Sequence, residues 1–210
     1  MKLASTPEKL MVRKNNPTQT RKEILEMAAT LIHQHGYKGM RVDEVVEQTG
    51  LTKGAIYYHF PNKQALGYAV VDDILGNQFK AFWSESLSQP GSVIEVLAKS
   101  FENMSDGLEQ CDLEVGCPLT NIGSEMSFED EGFRLRIIQI FDDWTDGIEA
   151  MILKGIESGE VRQDVDAKKT AQFIVASFQG IQCCAKQTKD QSRFDDGIAY
   201  LVGIIRGLAA

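Results

Sequence analysis

Apolar residues recur at helical spacing along the whole chain, and no segment shows the strict period-two alternation of a strand. Ile24, Leu25, Ala28, Leu31 and Ile32 form one face of a first helix, which starts at Thr18 or Thr20 and is stopped by Gly36. Val42, Val45, Val46 and Thr49 are spaced i, i+3, i+4, i+7, so Val42 to Gln48 is a second, short amphipathic helix. A third opens after Thr52, whose hydroxyl suits an N-cap, and Thr49-Gly50-Leu51 joins the two. Two short helices joined by a glycine-bearing turn have the pattern of a helix-turn-helix, in which the second helix enters the major groove of DNA.

Past Pro61-Asn62 a longer helix carries Leu66, Val70 and Ile74 on one stripe and Val71, Leu75, Phe79 and Phe82 on the next. Gln89-Pro90-Gly91-Ser92 breaks the chain, and Ser92 with Glu95 has capping-box spacing for a helix running to about Leu108. After a second break at Cys111 to Cys117, Pro118 suits the first turn of a short helix ending near Met126. Ser127 with Asp130 is the expected cap of the longest periodic segment, from Phe133 to Gly155, which Ser158-Gly159 terminates. Asp164 or Asp166 starts a helix bearing Ala171, Phe173, Ile174, Phe178 and Ile181, and Phe194 to Leu208 makes the last one. The expected fold class is all-α, with about nine helices.

Charge sharpens this picture once it is divided along the chain. The net charge of −8 argues against a nucleic-acid partner, but residues 1–66 hold ten Lys or Arg against six acids, or +4, and the remainder carries −12. A basic head is drawn to phosphates while an acidic body is repelled, although most of those acids also serve as ordinary solvated surface. No apolar run has the length of a signal peptide or a membrane span, so a cytoplasmic protein without membrane contact is expected. There Cys111, Cys117, Cys183 and Cys184 are expected as thiols, and no Cys or His pair has zinc-finger spacing, so neither metal nor cofactor is expected. Ser124 with Glu125, and Asp142, Asp143 and Asp146, are the only dense polar clusters; they supply no catalytic set, and no enzyme is expected.

The ordered run Thr20-Arg21, Ile24-Leu25, Ala28-Ala29, Leu31-Ile32, Gly36-Tyr37, Val42-Asp43-Glu44-Val45-Val46, Gly50 to Phe60, Asn62-Lys63 and Leu66 resembles the DNA-binding head of the TetR/AcrR transcriptional regulators. Gly116-Cys117-Pro118-Leu119-Thr120-Asn121 resembles a segment found in a subgroup of that family. The resemblance implies a basic arm over 1–17, a helix-turn-helix domain over 18–64, and an α-helical ligand-binding and dimerisation body over 65–210. Many members have Ser or Thr where Arg41 stands, which implies a poorer cap for the second helix and a phosphate role for Arg41. By position, Lys53 would meet guanine acceptors and Ala55 a thymine methyl, with Tyr57, His59 and Lys63 on phosphates. Thr52 and Gly54 would let the backbone come close to DNA, and Tyr57 and Tyr58 suit either that face or the packing of the head.

Family habit implies a repressor released from a palindromic operator by a small, largely apolar effector. The effector is expected between the helix of 62–86 and that of 127–157, against Phe82, Trp83, Phe101, Met104, Cys117, Phe141 and Trp144, all of which suit an ordinary core as well. A homodimer is expected, its seam drawn from Phe178, Ile181, Ile198, Leu201, Val202 and Ile205. Two alternatives stand beside this: a constitutive DNA-binding protein with a filled body, and a redox or electrophile sensor built on Cys117, whose place at a helix start can depress a thiol pKa.

Overall fold

A computed structural model of the chain describes residues 16–106 and 114–210. The expected basic arm, up to residue 15, and Cys111 lie outside the described residues. The elements in order are α1 (Pro17–Gly39), α2 (Val42–Thr49), α3 (Lys53–His59), α4 (Lys63–Ala69), a π-helical segment (Val70–Gly76), α5 (Asn77–Leu87), α6 (Val93–Asp106), α7 (Pro118–Met126), α8 (Glu131–Ser158), α9 (Ala167–Thr188) and α10 (Gln191–Arg206). Among the described residues there is no strand, only an isolated bridge between Val161 and Ala209. The fold is all-α, as the periodicity implies.

Short polar side chains set the helix starts by satisfying the first orphan N–H groups. Asn16 accepts from Gln19 N, Thr52 from Ala55 N at 3.1 Å, Asn62 from Ala65 N at 2.7 Å and Asp166 from Lys169 N at 3.1 Å. Two starts differ from expectation. Asp130 alone caps α8, accepting from Phe133 N at 3.1 Å, because Ser127 still closes α7. Asp190 begins α10 at Gln191, three residues ahead of Phe194. The Ser92/Glu95 capping box does not form either. Glu160 accepts from Val93 N at 2.8 Å, and Glu95 instead grips Arg206 at 3.0 and 3.1 Å.

The expected long helix after Pro61 is present but interrupted. Between α4 and α5 the seven residues Val70–Gly76 are wound as a π-helix, a geometry that is rare and favours functional sites. Another break lies inside α1, where Gly36 takes φ +75°, a left-handed value that suits glycine, and frees the N–H groups of Tyr37 and Lys38 from the helix.

Two apolar clusters fill the molecule. The first joins α1 to α4 and the π segment with Leu119, Ile122 and Met126 of α7 and Phe133 and Ile137 of α8. The second packs Trp83, Leu97, Phe101, Trp144, Ile148 and Phe178 with the inner faces of α9 and α10. Phe79 and Phe141 pack against both.

Candidate DNA-binding head and effector cavity

In the head, the apolar face of each short helix turns inward and leaves the polar tips outside. Val45 of α2 and Ile56 of α3 are fully buried against α1, which fixes the pair at the Gly50 turn, where φ is +65°. Opposite them, Tyr57 is 44% exposed and Tyr58 79% exposed, so neither tyrosine belongs to the core of the head. A Cβ added at Gly54 would meet no side chain nearer than Thr52 Oγ1 at 3.8 Å, which leaves the first turn of α3 open to a close approach. Ala55 and His59 are half-buried, and the His59 ring meets Tyr58 edge-on at 5.1 Å.

Charges on this face are held in pairs. Lys53 Nζ lies 2.6 Å from Asp43 Oδ1 of α2, and that carboxylate raises the pKa of the ammonium. Arg41 makes no capping bond to α2; its guanidinium sits 3.0 Å from Glu44, which raises its own pKa and lowers that of the carboxyl. Both cations remain exposed, and Asp43 is exposed as well, so a phosphate or a guanine competes at Lys53 with a carboxylate that is itself in water, whereas Glu44 is half-buried. Lys63 departs from expectation. Its ammonium donates to the Lys38 carbonyl at 3.0 Å and lies 4.9 Å from the centre of the Tyr37 ring, where burial pulls its pKa down. It closes the end of α1 against the start of α4 rather than standing free for phosphate.

A second set of contacts ties this head to the body, and the sequence reading missed it. Glu125 of α7 accepts from Tyr37 N at 2.8 Å and Lys38 N at 2.7 Å, the two groups released at the Gly36 break. Lys38 pairs with Glu129 at 2.5 Å, His33 Nε2 bonds the Gly116 carbonyl at 2.9 Å, and Tyr68 and Gln64 both donate to Asp130 at 2.6 Å. Arg136 of α8 reaches Asp72 at 2.8 Å and covers the Tyr68 ring at 4.0 Å. Tyr37 is buried beneath this latch, and burial pushes its pKa up to about 12. These partners lie more than 60 residues apart in sequence, so no spacing motif announces them.

Between the π segment with α5 on one side and α8 on the other lies a cavity of about 700 Å³. Phe79, Trp83, Leu135, Ile140 and Trp144 form its apolar wall, with Asp72, Lys80, Ser84, Arg136, Gln139, Asp143 and Asp146 toward the rim. The expected location between these two helices is therefore occupied by a cavity, and Trp83 and Trp144 line it. Phe82, Phe101, Phe141 and Cys117 do not. Phe101 is fully buried behind the wall, 5.2 Å from Trp83 and 5.4 Å from Phe178, while Phe82 packs edge-on behind Trp83 at 5.4 Å. Phe141 is half-buried where the two clusters meet, and Cys117 belongs to the head-side cluster at the start of α7. The Met104 side chain lies outside the described residues. Phe79 and Ile140 lie on the helical stripes but are not separable there from core, and Leu135 falls outside the stripe.

The expected dimer seam needs correction. Phe178, Ile198, Leu201, Val202 and Ile205 are buried within the single chain, because the apolar stripes of α9 and α10 face α6 and α8; Ile181 is half-buried against Gly197. What α9 and α10 present outward is Phe173, 54% exposed, Tyr200, 75% exposed, and Gly180 and Gly203, beside which a Cβ would meet nothing within 4 Å.

Known proteins share this arrangement. The model of the bacterial regulatory proteins of the tetR family matches residues 24–70, and that of the tetracyclin repressor-like C-terminal domain matches residues 93–201. The chain belongs to the TetR family. It is a DNA-binding transcriptional regulator of the helix-turn-helix type. Among similar curated proteins, the A-factor receptor protein of Streptomyces griseus is 28% identical over 88% of this chain, which spans 61% of that receptor's length. The HTH-type transcriptional repressor DhaR of a Mycobacterium strain is 25% identical over 78% of this chain and 80% of its own. A TetR-family regulator of Cytophaga hutchinsonii has a solved structure that superposes with a TM-score of 0.83, at 26% identity, over 94% of this chain and 98% of that one. Among the described residues of this TetR-family chain, no helix is long and apolar enough to cross a membrane, and no cluster of His, Cys, Asp and Glu has the makings of a metal site.

Proposed function

We propose that this TetR-family protein is a repressor, acting on a palindromic operator in the cytoplasm, that lets go of DNA when a small, largely apolar molecule fills the cavity beside Trp83 and Trp144. The observation that carries the reading is continuity. The helix that starts at Lys63, directly after the recognition helix α3, runs through the π segment into the wall of the cavity. Anything that displaces Gly76, Asn77 or Phe79 also acts on α4, which Lys63 ties to the end of α1 and Tyr68 to the start of α8. The π segment is the natural point of yield, since its backbone is already out of α-helical register. An effector shifts the operator equilibrium only by its differential affinity for the two head positions, and a typical coupling of about 1–3 kcal/mol gives roughly 5- to 150-fold weaker binding.

On the DNA side, Lys53 and Ala55 are assigned to base edges, with Arg41, Thr52, Gly54, Tyr57, Tyr58 and His59 on the backbone or at groove edges. Two heads one duplex turn apart require a dimer. Its seam is assigned to the outer faces of α9 and α10 around Phe173, Gly180, Tyr200 and Gly203. A mid-helix glycine costs about 1 kcal/mol relative to alanine, and neither Gly180 nor Gly203 meets anything inside the chain that would require it. The cavity favours this account over constitutive DNA binding.

An operator selected by the wild-type chain from random duplexes tests the reading. In gel-shift titrations at fixed salt, apolar molecules of cavity size are expected to weaken binding at least about fivefold. A broad panel that moves neither operator affinity nor tryptophan fluorescence overturns the effector reading and leaves a constitutive binder.

A further inference from the structure

An exposed carboxylate stands beside the lysine assigned to base edges. Asp43 lies in the first turn of α2 and Lys53 at the start of α3, and the two side chains meet at 2.6 Å while 64% and 58% exposed. An ion pair so open to water contributes little to stability. Its two ends are nevertheless held at a fixed separation, because Val45 and Ile56, each within three residues of one end, are fully buried in the head. The adjacent acid is placed differently. Glu44 is half-buried, takes Arg41 on one oxygen at 3.0 Å, and has its other oxygen buried without a partner among the described residues. Arg41 cannot leave without stranding that carboxylate, whereas Lys53 leaves Asp43 to the solvent at little cost.

We propose that Asp43 is a specificity-determining residue, which weakens the pull of Lys53 on phosphate while sparing its hydrogen bonds to a guanine edge, and so disfavours DNA of the wrong sequence. The proposal rests on Lys53 being a base contact of α3. A phosphate attracts an ammonium chiefly by charge. Asp43 already neutralises that charge at contact distance, and it repels phosphate oxygens from the same spot whether or not the 2.6 Å bond survives. Guanine O6 and N7 are neutral acceptors and need N–H groups rather than charge. An ammonium has three, and Asp43 occupies one. Random duplex is held almost wholly through its phosphates, so it loses more from the carboxylate than an operator does.

The test is Asp43→Asn in the full-length chain, which keeps the shape of the side chain and removes its charge. Gel-shift titrations at several salt concentrations compare an operator selected by the wild-type chain with a shuffled duplex of equal length. The shuffled duplex is expected to bind the variant about threefold to tenfold more tightly, as two heads each lose one exposed pair, with a salt dependence steeper by about one charge per head. The operator is expected to gain less than about twofold, so the ratio of the two affinities falls. Asp43→Glu, which restores the charge, is expected to restore the ratio, and Asp43→Asn added to Lys53→Ala is expected to leave the ratio where Lys53→Ala alone puts it. Equal gains on both duplexes, or no gain on either, overturn the proposal and leave Lys53 as a base contact. If Lys53→Ala itself does not weaken operator binding, the base-contact reading falls and the proposal with it.

Discussion

The DNA-facing head and the effector cavity are built on opposite plans. In the head, Lys53, Tyr57 and Tyr58 all stand on the one short helix α3, and their chemistry is outward and individually weak. The cavity is lined by residues from two helices about 60 positions apart, backed by α6 and α9, and its chemistry is a stack of aromatic rings at centroid separations of 4.8 to 6.2 Å. On the proposed reading, one surface exchanges carboxylate partners for DNA and the other buries a guest. The core is not divided where these two regions divide. The head-side cluster reaches into α7 and α8, and Phe79 touches that cluster, the body cluster and the cavity together.

The most damaging way to break this comparison is to remove the packing that joins the two regions. Phe133 is fully buried and meets Tyr37 at 4.6 Å and Tyr68 at 4.8 Å, one ring on α1 and one on α4. Phe133→Ala is expected to cost about 3–5 kcal/mol and to unseat the head although the residue belongs to α8. Urea unfolding followed by circular dichroism measures the loss; a cost below about 1 kcal/mol would mean that the head does not depend on its packing against α8. Next in size is the head surface itself. Lys53→Ala and Tyr57→Phe are expected to weaken operator binding by about 1–3 kcal/mol per lost contact with no change in the unfolding midpoint. Undiminished affinity in gel-shift titration moves the docking face away from α3.

The unequal legibility of the two regions in the sequence follows from the same contrast. The head was readable almost residue by residue, since Thr52 caps α3, Gly50 turns with positive φ, and the i, i+3, i+4 stripes bury Val45 and Ile56 as spacing requires. The position of the cavity between the two helices was also readable, but its wall was not. An apolar stripe shows that a face is covered without showing by what, which is why Phe101 and Phe82 proved to be backing rather than lining. For the same reason the stripes of α9 and α10, expected at a seam between subunits, are spent inside the chain. The π segment left no mark in the pattern either. Leu66, Val70 and Ile74 keep a four-residue spacing that reads as uninterrupted α-helix.

A gentler change separates coupling from packing. Glu125 binds the two N–H groups freed at Gly36 with both carboxylate oxygens, and a glutamine in its place offers one acceptor and turns an N–H2 toward the other donor. Glu125→Gln is expected to lower stability by about 1–2 kcal/mol and to reduce the effector's influence on operator affinity more than it reduces affinity itself. Parallel titrations with and without effector check this. An unaltered ratio would leave Phe79 and the π segment as the sole route between cavity and head.

The smallest expected effect is one of pH, and it tests a single point of the latch. Asp130 accepts from the Tyr68 hydroxyl and the Gln64 amide, both at 2.6 Å, and from Phe133 N at 3.1 Å. The Tyr68 hydroxyl is the largest of the influences that hold its pKa below the ordinary carboxyl value, with the Gln64 amide and the backbone N–H of Phe133 adding to it. A carboxyl whose pKa is depressed on folding adds stability that is fully present above its unfolded value, near 4, and is lost as pH falls through the folded value. Acidification from about pH 5 downward is therefore expected to loosen the join between α4 and the start of α8. Asp130→Asn, which cannot gain a proton there, is expected to be somewhat less stable at neutral pH and to lose less than the wild type on acidification. The experiment is a pair of thermal melts across that range. Identical pH slopes in the two proteins would place the acid sensitivity elsewhere, for which Glu125 and Glu129 beside Lys38 are the next groups to replace.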